Sequence, residues 1–368
     1  MLAAGALGGL ALVQTSSAAA SGPVAGRQGE PWLALTPESP LEPDLPIIDS
    51  HHHYWPNSAD FAPYAHYMTP ELAHDMAGHN VRATVFVQAS VMYRQDGPPE
   101  MRPVGEVESV EAMAGEVERE DAPCRQSAAI VGWADLMLGG GVEPVLQAMR
   151  AASPRRFRGV RYSVTWDPHP VSWDGQPVAA NRGPPGLLAT PEFRAGAGVL
   201  SRLGLSLDTQ VSPAQMAELA TFARSMPDLT IILDHLGGLT RVGAYAGRDD
   251  EVLPAWREGI KAAAQAPNIV LKLGGLGMPR TGYGWEQRAK PVGSEELAGQ
   301  MAPLLDHAIQ QFGPDRCMFE SNFPVDKISF GYGVLFNAFK RVTRGYSASE
   351  RASLFHDTAA RVYRISDA

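Results

Sequence analysis

Two histidines one residue apart, His51 and His53, end an apolar stretch that begins near Leu45. Side chains of a strand alternate between its two faces, so His51 and His53 should share one face with Asp49 while His52 points to the other. Two imidazoles a few ångströms apart suit the binding of one cation. The alternative is an incidental polar turn around the three consecutive histidines. Taken alone, the spacing is compatible with a metal site and with an incidental turn.

Polar side chains also end most of the other apolar stretches. Glu320 shares a strand face with Asn322, and a carboxylate buried among apolar residues is unfavourable unless it is paired, coordinated or catalytic. His235 follows Thr-Ile-Ile-Leu-Asp and likewise needs a partner or a task if it is buried. Arg161 has the two-pronged donor geometry that binds carboxylates, although an ion pair with Asp208 would also explain it. The other polar residues at strand ends are Gln88, Gln210 and Lys272.

Short apolar stretches alternate with longer amphipathic ones from Leu45 onward, a pattern typical of βαβ units and a parallel sheet. Eight strands are predicted, over Leu45–His53, Val81–Ser90, Ala128–Met137, Phe157–Val164, Leu205–Val211, Thr230–Gly237, Asn268–Gly275 and Arg316–Pro324. The predicted helices are Pro70–Gly78, Val104–Glu120, Glu143–Ala152, Pro191–Leu203, Pro213–Met226, Leu253–Ala266, Glu295–Phe312, Val334–Val342 and Ser349–Val362. Eight repeats predict an α/β fold, a (β/α)8 TIM barrel, and no Gly-x-Gly-x-x-Gly turn follows any strand to favour a nucleotide-binding sheet.

A TIM barrel carries its catalytic groups at the C-terminal ends of its strands and on the loops that follow. A barrel without a site would fill these positions with Val, Ile and Leu. Three of the loops are long, Thr165–Thr190, Gly238–Val252 and Leu276–Ser294. Loops of this length in a compact domain are usually functional, so we expect them to cover a pocket; ordinary surface insertions are the alternative.

Composition excludes several classes of protein. Among 368 residues, 31 Lys and Arg face 40 Asp and Glu, and the net charge of -9 disfavours nucleic acid as a partner. With only Cys124 and Cys317, the chain cannot be a disulfide scaffold or a cysteine-rich zinc module, so any metal must be held by His, Asp or Glu. Beyond the N-terminal stretch, no apolar run approaches the ~20 residues of a membrane span, so we expect no membrane association of the mature protein. The sequence leaves open whether the chain is a homo-oligomer.

The N-terminal residues have a composition of their own. Met1–Ser21 is an apolar run followed by small residues, which resembles the second half of an export signal without its basic region. We expect residues 1–42 to be a signal-like and flexible segment, and residues 43–368 to form the barrel domain. Export to the periplasm follows from this interpretation. A disordered extension of a cytoplasmic enzyme is the alternative.

Six short motifs at the strand ends occur together between Leu45 and the end of the chain. They are Ile-Ile-Asp49-Ser-His51-His-His53, Arg158-Gly-Val-Arg161, Leu-Asp208-Thr-Gln210-Val, Leu-Asp234-His235-Leu-Gly, Lys272-Leu-Gly-Gly and Ser321-Asn322-Phe-Pro-Val-Asp326. In order and spacing they resemble the amidohydrolase superfamily, and more narrowly its amidohydrolase-related branch with sugar-acid lactonases and 2-pyrone-4,6-dicarboxylate lactonase. The resemblance implies a (β/α)8 barrel, hydrolysis at a carbonyl centre, and His51, His53 and His235 as the inward-facing histidines.

Departures from the superfamily pattern bear on the cofactor. The superfamily has an Asp at the end of the eighth strand, where this chain has Asn322, which cannot act as a base; Glu320 and Asp326 are the nearest carboxylates that could replace it. Members with two metals also have a ligand on the fourth strand and a His on the fifth, where this chain offers Arg161 and Gln210. Arg cannot ligate a cation. We therefore expect one divalent metal, zinc being the expected ion, or none.

The resemblance implies hydrolysis of a lactone, either of a sugar acid or of a carboxylated pyrone, by water attack at the barrel mouth. A zinc-like ion on His51, His53 and His235 would activate water and polarise the carbonyl. The residues expected to be catalytic are Glu320, His235 and Lys272, and those expected to bind substrate are Arg161, Gln88, Gln210 and Asn322. The alternatives are a non-oxidative decarboxylase or isomerase on the same scaffold, and a non-catalytic binding barrel.

Overall fold

The computed structural model describes residues 29–57, 64–120 and 122–366. Within them, eight parallel strands follow one another around a single sheet in chain order. The strands are β1 (Ile47–His52), β2 (Val81–Val87), β3 (Arg125–Gly132), β4 (Phe157–Arg161), β5 (Ser206–Thr209), β6 (Ile231–Leu233), β7 (Ile269–Leu273) and β8 (Cys317–Phe319). Each overlaps the range predicted for it, so the (β/α)8 barrel is confirmed.

Helices follow the strands and cover the outside of the barrel. The longer ones are Thr69–Met76, Val104–Arg119, Glu143–Ala152, Pro191–Arg202, Met216–Arg224, Asp249–Ala264, Ser294–Phe312 and Tyr332–Val342. Their starts follow local chemistry: the Thr190 hydroxyl accepts a hydrogen bond from the backbone N–H of Phe193, and Pro191 occupies the first helical position, where no donor is needed. The last predicted helix is divided into Ala348–Ala352, a π-helical turn at Ser353–Asp357, and Thr358–Tyr363.

Two apolar layers hold the strands in place. The inner layer fills the barrel and includes Ile48, Ala83, Val85, Val87, Ala129, Val131, Ile232, Val270 and Met318. The outer layer packs the opposite strand faces against the helices and includes Ile47, Phe86, Ile130, Val160, Leu207, Leu233 and Leu271. Tyr363 and Ile365, from the end of the chain, join the inner layer. The barrel is thus a packed core, with its polar side chains near the C-terminal ends of the strands.

The first and last strands meet at a seam that side chains help to close. Among the residues that the structure describes, a single bridge of the strand ladder, between His52 and Phe323, joins them. The Ser50 hydroxyl donates to the backbone oxygen of Phe319 at 2.8 Å, and the Asp49 carboxylate accepts from the backbone N–H of Ser321 at 2.8 Å. The barrel is therefore nearly closed, with polar contacts in place of part of the ladder.

A bulge in β1 corrects one prediction of strand geometry. Asp49 pairs with Thr84 and His52 with Phe86, so β1 contains one residue more than β2 over this interval. The extra residue reverses the alternation of faces. Asp49 consequently lies on the outer side, where it also accepts from the Tyr332 hydroxyl at 3.2 Å, and it does not share the face of His51.

The predicted boundary at residue 42 needs correction, because residues 29–42 are packed against the barrel. The segment begins with a short helix, Gly29–Leu33, in which Trp32 is 3% exposed and donates from its indole N–H to the Arg288 backbone oxygen. Glu30 forms an ion pair with Lys327, and Lys340 donates to two backbone oxygens of the segment. This part of the predicted flexible segment is thus a strap across the loops after β7 and β8. The signal-like stretch at residues 1–21 lies outside the described residues.

The three long loops meet one another at the C-terminal end of the barrel. The Arg280 backbone N–H donates to the Trp173 oxygen at 3.3 Å, and the Arg241 N–H donates to the Arg280 oxygen at 2.9 Å. Tyr245 donates its hydroxyl to Asp167 at 2.7 Å. These bonds hold the loops together above the strand ends. In the part of the chain that the structure describes, no helix has the length and apolarity needed to cross a membrane.

Candidate active site

His51 and His53 both point into the barrel. Their Nε2 atoms are 3.1 Å apart, and the ring centroid of His51 lies 4.7 Å from that of His235. His53 Nδ1 lies 2.7 Å from the Val87 backbone oxygen, which can only accept, so Nδ1 carries the proton. His52 points outward, as alternation predicts. The three inward imidazoles thus converge, whereas their predicted role as metal ligands stays a prediction.

The end of β6 delivers two side chains to the interior rather than one. Strand alternation past Leu233 would place Asp234 and His235 on opposite faces. The backbone instead turns at His235, where φ is 54°, into the single helical turn His235–Gly238, so both side chains reach the site. The sequence interpretation missed Asp234 because it extended the strand beyond its last residue. The two glycines that follow were the available signal of a turn.

Glu320 lies between two of the histidines and is fully buried. Its Oε1 accepts from the His235 backbone N–H at 3.1 Å and lies 2.7 Å from His235 Nδ1. Its Oε2 lies 3.0 Å from His51 Nδ1. A Cβ on Gly274 would collide with the Glu320 side chain, and one on Gly275 would lie 2.6 Å from His235 Cβ. The glycine pair after β7 therefore makes the room in which this carboxylate joins both histidines.

Lys272 is fully buried beneath the histidines. Its ammonium donates to Asp208 Oδ2 at 2.8 Å and lies 3.3 Å from Asp234 Oδ1 and 3.2 Å from His51 Nδ1. The Tyr363 hydroxyl donates to the same Asp208 oxygen at 2.6 Å. Burial alone would lower the pKa of Lys272, but the two carboxylates raise it above its ordinary value. The ammonium therefore stays charged, in an ion-pair network that supports His51 from below.

Arg161 reaches the site from β4 and remains partly exposed. Its Nη2 donates to the Gln88 backbone oxygen at 2.5 Å, and its Nη1 lies 3.3 Å from His51 Nε2. The ion pair with Asp208, the alternative considered for this residue, is not formed, because Asp208 is occupied by Lys272. No carboxylate of the described residues lies within 4.0 Å of the guanidinium. Arg161 therefore keeps N–H groups for a ligand.

Two glutamines predicted to bind substrate have protein partners of their own. The Gln88 side-chain oxygen accepts from the Ser90 hydroxyl at 3.2 Å. The Gln210 side-chain oxygen accepts from both terminal nitrogens of Arg280, at 2.8 Å from Nη1. The Gln210 oxygen thus already has two donors, whereas the Gln88 oxygen has one, and both glutamines can still offer their amino groups to a ligand. Arg280 is 7% exposed, and burial lowers its pKa to about 10. It was not selected from the sequence because it stands in a loop rather than at a strand end.

Asn322 and Asp326 form a buried pair after β8. The Asn322 amide nitrogen donates to Asp326 Oδ1 at 2.8 Å, and Asp326 Oδ2 accepts from the Gly277 backbone N–H at 2.8 Å. Burial raises the pKa of Asp326 to about 8. Since both of its oxygens have donors, Asp326 is less suited than Glu320 to replace the missing superfamily carboxylate.

Burial controls the charge of the imidazoles. It lowers the pKa of His235 to about 3. Burial first, and then Lys272, lowers the pKa of His51 well below its ordinary value, and burial followed by Arg161 does so for His53. Burial and the Asp234 carboxylate raise the pKa of Glu320 well above its ordinary value. The histidines are therefore neutral at pH 7, the form that ligates a metal.

These residues fit a divalent cation. His51, Asp234 and His235 each offer one ligand atom, and the three atoms lie within 4.8 Å of one another. Both oxygens of Asp234 and Oε2 of Glu320 are buried and accept no hydrogen bond from the described residues, although the Lys272 ammonium lies 3.3 Å from Asp234 Oδ1 and His51 Nδ1 lies 3.0 Å from Glu320 Oε2. Such atoms are unfavourable unless a cation or donor relieves them. Asp234 therefore joins His51 and His235 as a candidate ligand, whereas His53 lies beside His51 and outside this group.

The fold and the site together define a TIM-barrel enzyme of the amidohydrolase type. The family model described as Amidohydrolase matches residues 48–365, so the chain belongs to that family. The resemblance inferred from the six motifs is thereby confirmed. In this family, metal-dependent hydrolysis is typical, and the His and Asp groups described above provide a possible metal site.

Similar proteins include two bacterial sequences and a zinc-containing structure. The chain is 32% identical over 339 residues to "Uncharacterized protein y4mH" of Sinorhizobium fredii, covering 88% of this chain and 99% of that protein. It is 28% identical over 326 residues to L-fucono-1,5-lactonase of Burkholderia multivorans, covering 86% and 96%. An amidohydrolase from Burkholderia multivorans solved with bound zinc has a TM-score of 0.62 at 26% identity, covering 86% and 99%.

Proposed function

We propose that the protein is a lactonase that hydrolyses the cyclic ester of a sugar acid or of a carboxylated pyrone. The observation that carries the proposal is the position of Glu320: its Oε1 accepts from the His235 backbone N–H, whereas its Oε2 accepts no hydrogen bond and lies 3.0 Å from His51 Nδ1. A buried carboxylate held in this way is a ready acceptor for a proton of the attacking water. The L-fucono-1,5-lactonase similarity supports lactones as the substrate class.

Ester hydrolysis requires a proton acceptor for water, polarisation of the carbonyl and protonation of the leaving alkoxide. Glu320 takes the proton from water through Oε2 and returns it to the leaving oxygen. Glu320 accepts this proton in its ionised form, which the nearby Lys272 ammonium favours, and burial, which raises the pKa of the carboxyl, strengthens it as a base. His235 fixes the orientation of the carboxylate through its backbone N–H and its ring.

The cofactor we propose is one zinc ion, supported by the donor set and by the zinc in the similar Burkholderia structure. His51, Asp234 and His235 would hold it, and it would supply Lewis acidity to the carbonyl oxygen and to water. Lys272 keeps the Asp234 carboxylate and the His51 ring in place from below. Its network position therefore favours a positioning role over the direct catalytic role predicted from the sequence.

Arg161 binds an anionic or carbonyl group of the substrate in this proposal. Its guanidinium borders His51 and lacks a carboxylate partner among the described side chains. A partly exposed guanidinium without an anionic partner can still bind a carboxylate through two N–H groups, so a substrate carboxylate would pair with it. Gln88 and Gln210 contribute their amino groups as donors beside it.

Ester hydrolysis at neutral pH releases a proton, so turnover can be followed with a pH indicator. The panel contains L-fucono-1,5-lactone, 2-pyrone-4,6-dicarboxylate and, for a decarboxylase, 2,6-dihydroxybenzoate monitored by release of carbon dioxide. Metal content is measured by mass spectrometry on the same preparation. The proposal expects lactone turnover that is abolished in Glu320→Gln and retained in Glu296→Gln, a surface carboxylate paired with Arg288.

Three outcomes would contradict the proposal. Release of carbon dioxide from the benzoate without lactone turnover would make the protein a decarboxylase. Near-wild-type lactone turnover in Glu320→Gln would move the proton-accepting role to another group. Binding of panel compounds with no turnover by zinc-loaded protein would instead support a non-catalytic barrel.

A further inference from the structure

The carboxamide of Asn322 has a fixed orientation. Asn322 is 1% exposed, and its backbone N–H donates to the His51 oxygen at 2.9 Å, which anchors it beside the histidines. Its amide nitrogen donates to Asp326 Oδ1. Its side-chain oxygen accepts no hydrogen bond from the residues that the structure describes. The amino end of the group is therefore committed to Asp326, and the oxygen is available to a ligand.

The backbone in turn fixes the orientation of Asp326. Its Oδ2 accepts from the Gly277 N–H, so a hydrogen-bond acceptor is required on that side. A Cβ on Gly277 would lie 2.7 Å from Asp326 Cβ, so glycine permits this close approach. The other oxygen faces the Asn322 amide. In its ionised form, which prevails above its raised pKa of about 8, Asp326 presents an acceptor to each neighbour, and only the amino group of Asn322 can satisfy the second one.

We propose that Asp326 is a positioning residue that keeps the Asn322 oxygen, rather than its amino group, directed at the reacting molecules, where it accepts a hydrogen bond from a hydroxyl donor. The proposal rests on the proposed lactonase function. The donor has two sources, a hydroxyl of the lactone or the attacking water. Asn322 then supplies an acceptor without the negative charge that Asp would bring.

The isosteric variant Asp326→Asn should invert this arrangement. The Gly277 N–H still demands an acceptor, so the new amide gives its oxygen to Gly277 and turns its amino group toward Asn322. Asn322 must then rotate to accept, which presents its own amino group to the substrate. A buried donor replaces an acceptor, and we expect kcat/KM to fall about ten- to a hundredfold.

A second substitution should restore the acceptor. In Asn322→Asp/Asp326→Asn, the carboxylate at position 322 accepts from the new amide with one oxygen and presents the other to the reacting molecules. We expect kcat/KM to recover to within about fivefold of the wild type, in line with the tolerance of a paired polar swap. Asp306→Asn is the matched control, since Asp306 accepts from the Tyr346 hydroxyl on the outside of the barrel; its kinetics should be unchanged.

The kinetic experiment compares all variants with L-fucono-1,5-lactone, which carries hydroxyls, and 2-pyrone-4,6-dicarboxylate, which does not. A loss confined to KM for the hydroxylated lactone assigns the donor to the substrate, and a loss of kcat with both assigns it to water. Unchanged kinetics in Asp326→Asn, or a loss that the double variant fails to rescue although its melting temperature is that of the wild type, would overturn the proposal.

A spectroscopic readout needs no substrate. The chain contains six asparagines, so selective ¹⁵N labelling gives few side-chain amide signals, and Asn322→Asp identifies the one of interest. In the wild type its protons should exchange slowly with solvent, because they are bonded to a buried carboxylate. They should exchange faster in Asp326→Asn; equal exchange would contradict the inferred rotation. If the protein does not hydrolyse lactones, the proposed function is wrong, but the exchange measurement still tests the orientation of the Asn322 carboxamide.

Discussion

Replacing Lys272 with Met removes a buried ammonium while keeping an unbranched side chain that is one atom shorter. The ammonium lies 2.8 Å from Asp208 and 3.3 Å from Asp234, and all three side chains are fully buried. Its loss leaves two carboxylates without compensation, and breaking a buried ion pair from one side costs about 3–5 kcal/mol. We therefore expect the free energy of unfolding to fall by about that amount.

Urea unfolding, followed by circular dichroism, measures the difference. The matched control is Lys261→Met, because Lys261 and Glu258 are 59% and 76% exposed with their charges 3.9 Å apart, and it should change stability by under about 1 kcal/mol. The double variant Lys272→Met/Asp208→Asn also removes the uncompensated Asp208 charge, so it should recover part of the lost free energy of unfolding. A stability for Lys272→Met equal to that of the control would refute the buried network. Lactone turnover in a stable double variant would refute a direct catalytic role for Lys272.

Three other outcomes are expected. Arg161→Lys keeps the positive charge but loses the paired N–H donors of the guanidinium. KM should therefore rise about tenfold for 2-pyrone-4,6-dicarboxylate and less for the neutral L-fucono-1,5-lactone. Equal changes in KM for both substrates would mean that Arg161 has only a structural role. Chelation of the metal should lower the melting temperature, and zinc should restore it more than magnesium does, given the imidazole ligands. Burial lowers the pKa of His52 to about 3. Below pH 6.5 the His52 imidazole takes up a proton in the unfolded chain but not in the folded one. The free energy of unfolding should therefore fall as the pH falls from 6.5 towards 3, by up to ~1.4 kcal/mol per pH unit. In His52→Asn, urea unfolding at several pH values should show a smaller dependence of this free energy on pH.

The barrel could be predicted because its signals are local. Each strand is a short apolar stretch bounded by turn residues, and each long helix has an amphipathic repeat, so both follow from neighbouring residues. The same reasoning placed Arg161, Lys272 and Glu320 on inward faces, where the structure has them. Alternation works at these positions because β4 is regular from Gly159 to Arg161, because β7 is regular, and because β8 continues extended to Glu320.

The rest depended on backbone irregularities that a period of two cannot represent. The bulge in β1 moved Asp49 to the outer side, and the turn after Leu233 brought Asp234 into the site. Arg280 reaches the barrel from a loop whose path depends on contacts with other loops, as with its bond to Trp173. Such features depend on residues that are distant in the sequence, so one sequence read along its length does not reveal them.

The seam between β1 and β8 determines when, during synthesis, the reactive side chains can come together. His51 and Glu320 stand on its two sides, and the bond from Ser321 to Asp49 that closes it joins residues 272 positions apart. A chain still emerging from the ribosome therefore contains its histidines long before the carboxylate that orients them. Partial barrels made from either half of the gene would each carry an incomplete set of reactive groups. The reactive groups are complete only after β8 has been synthesised and has closed against β1.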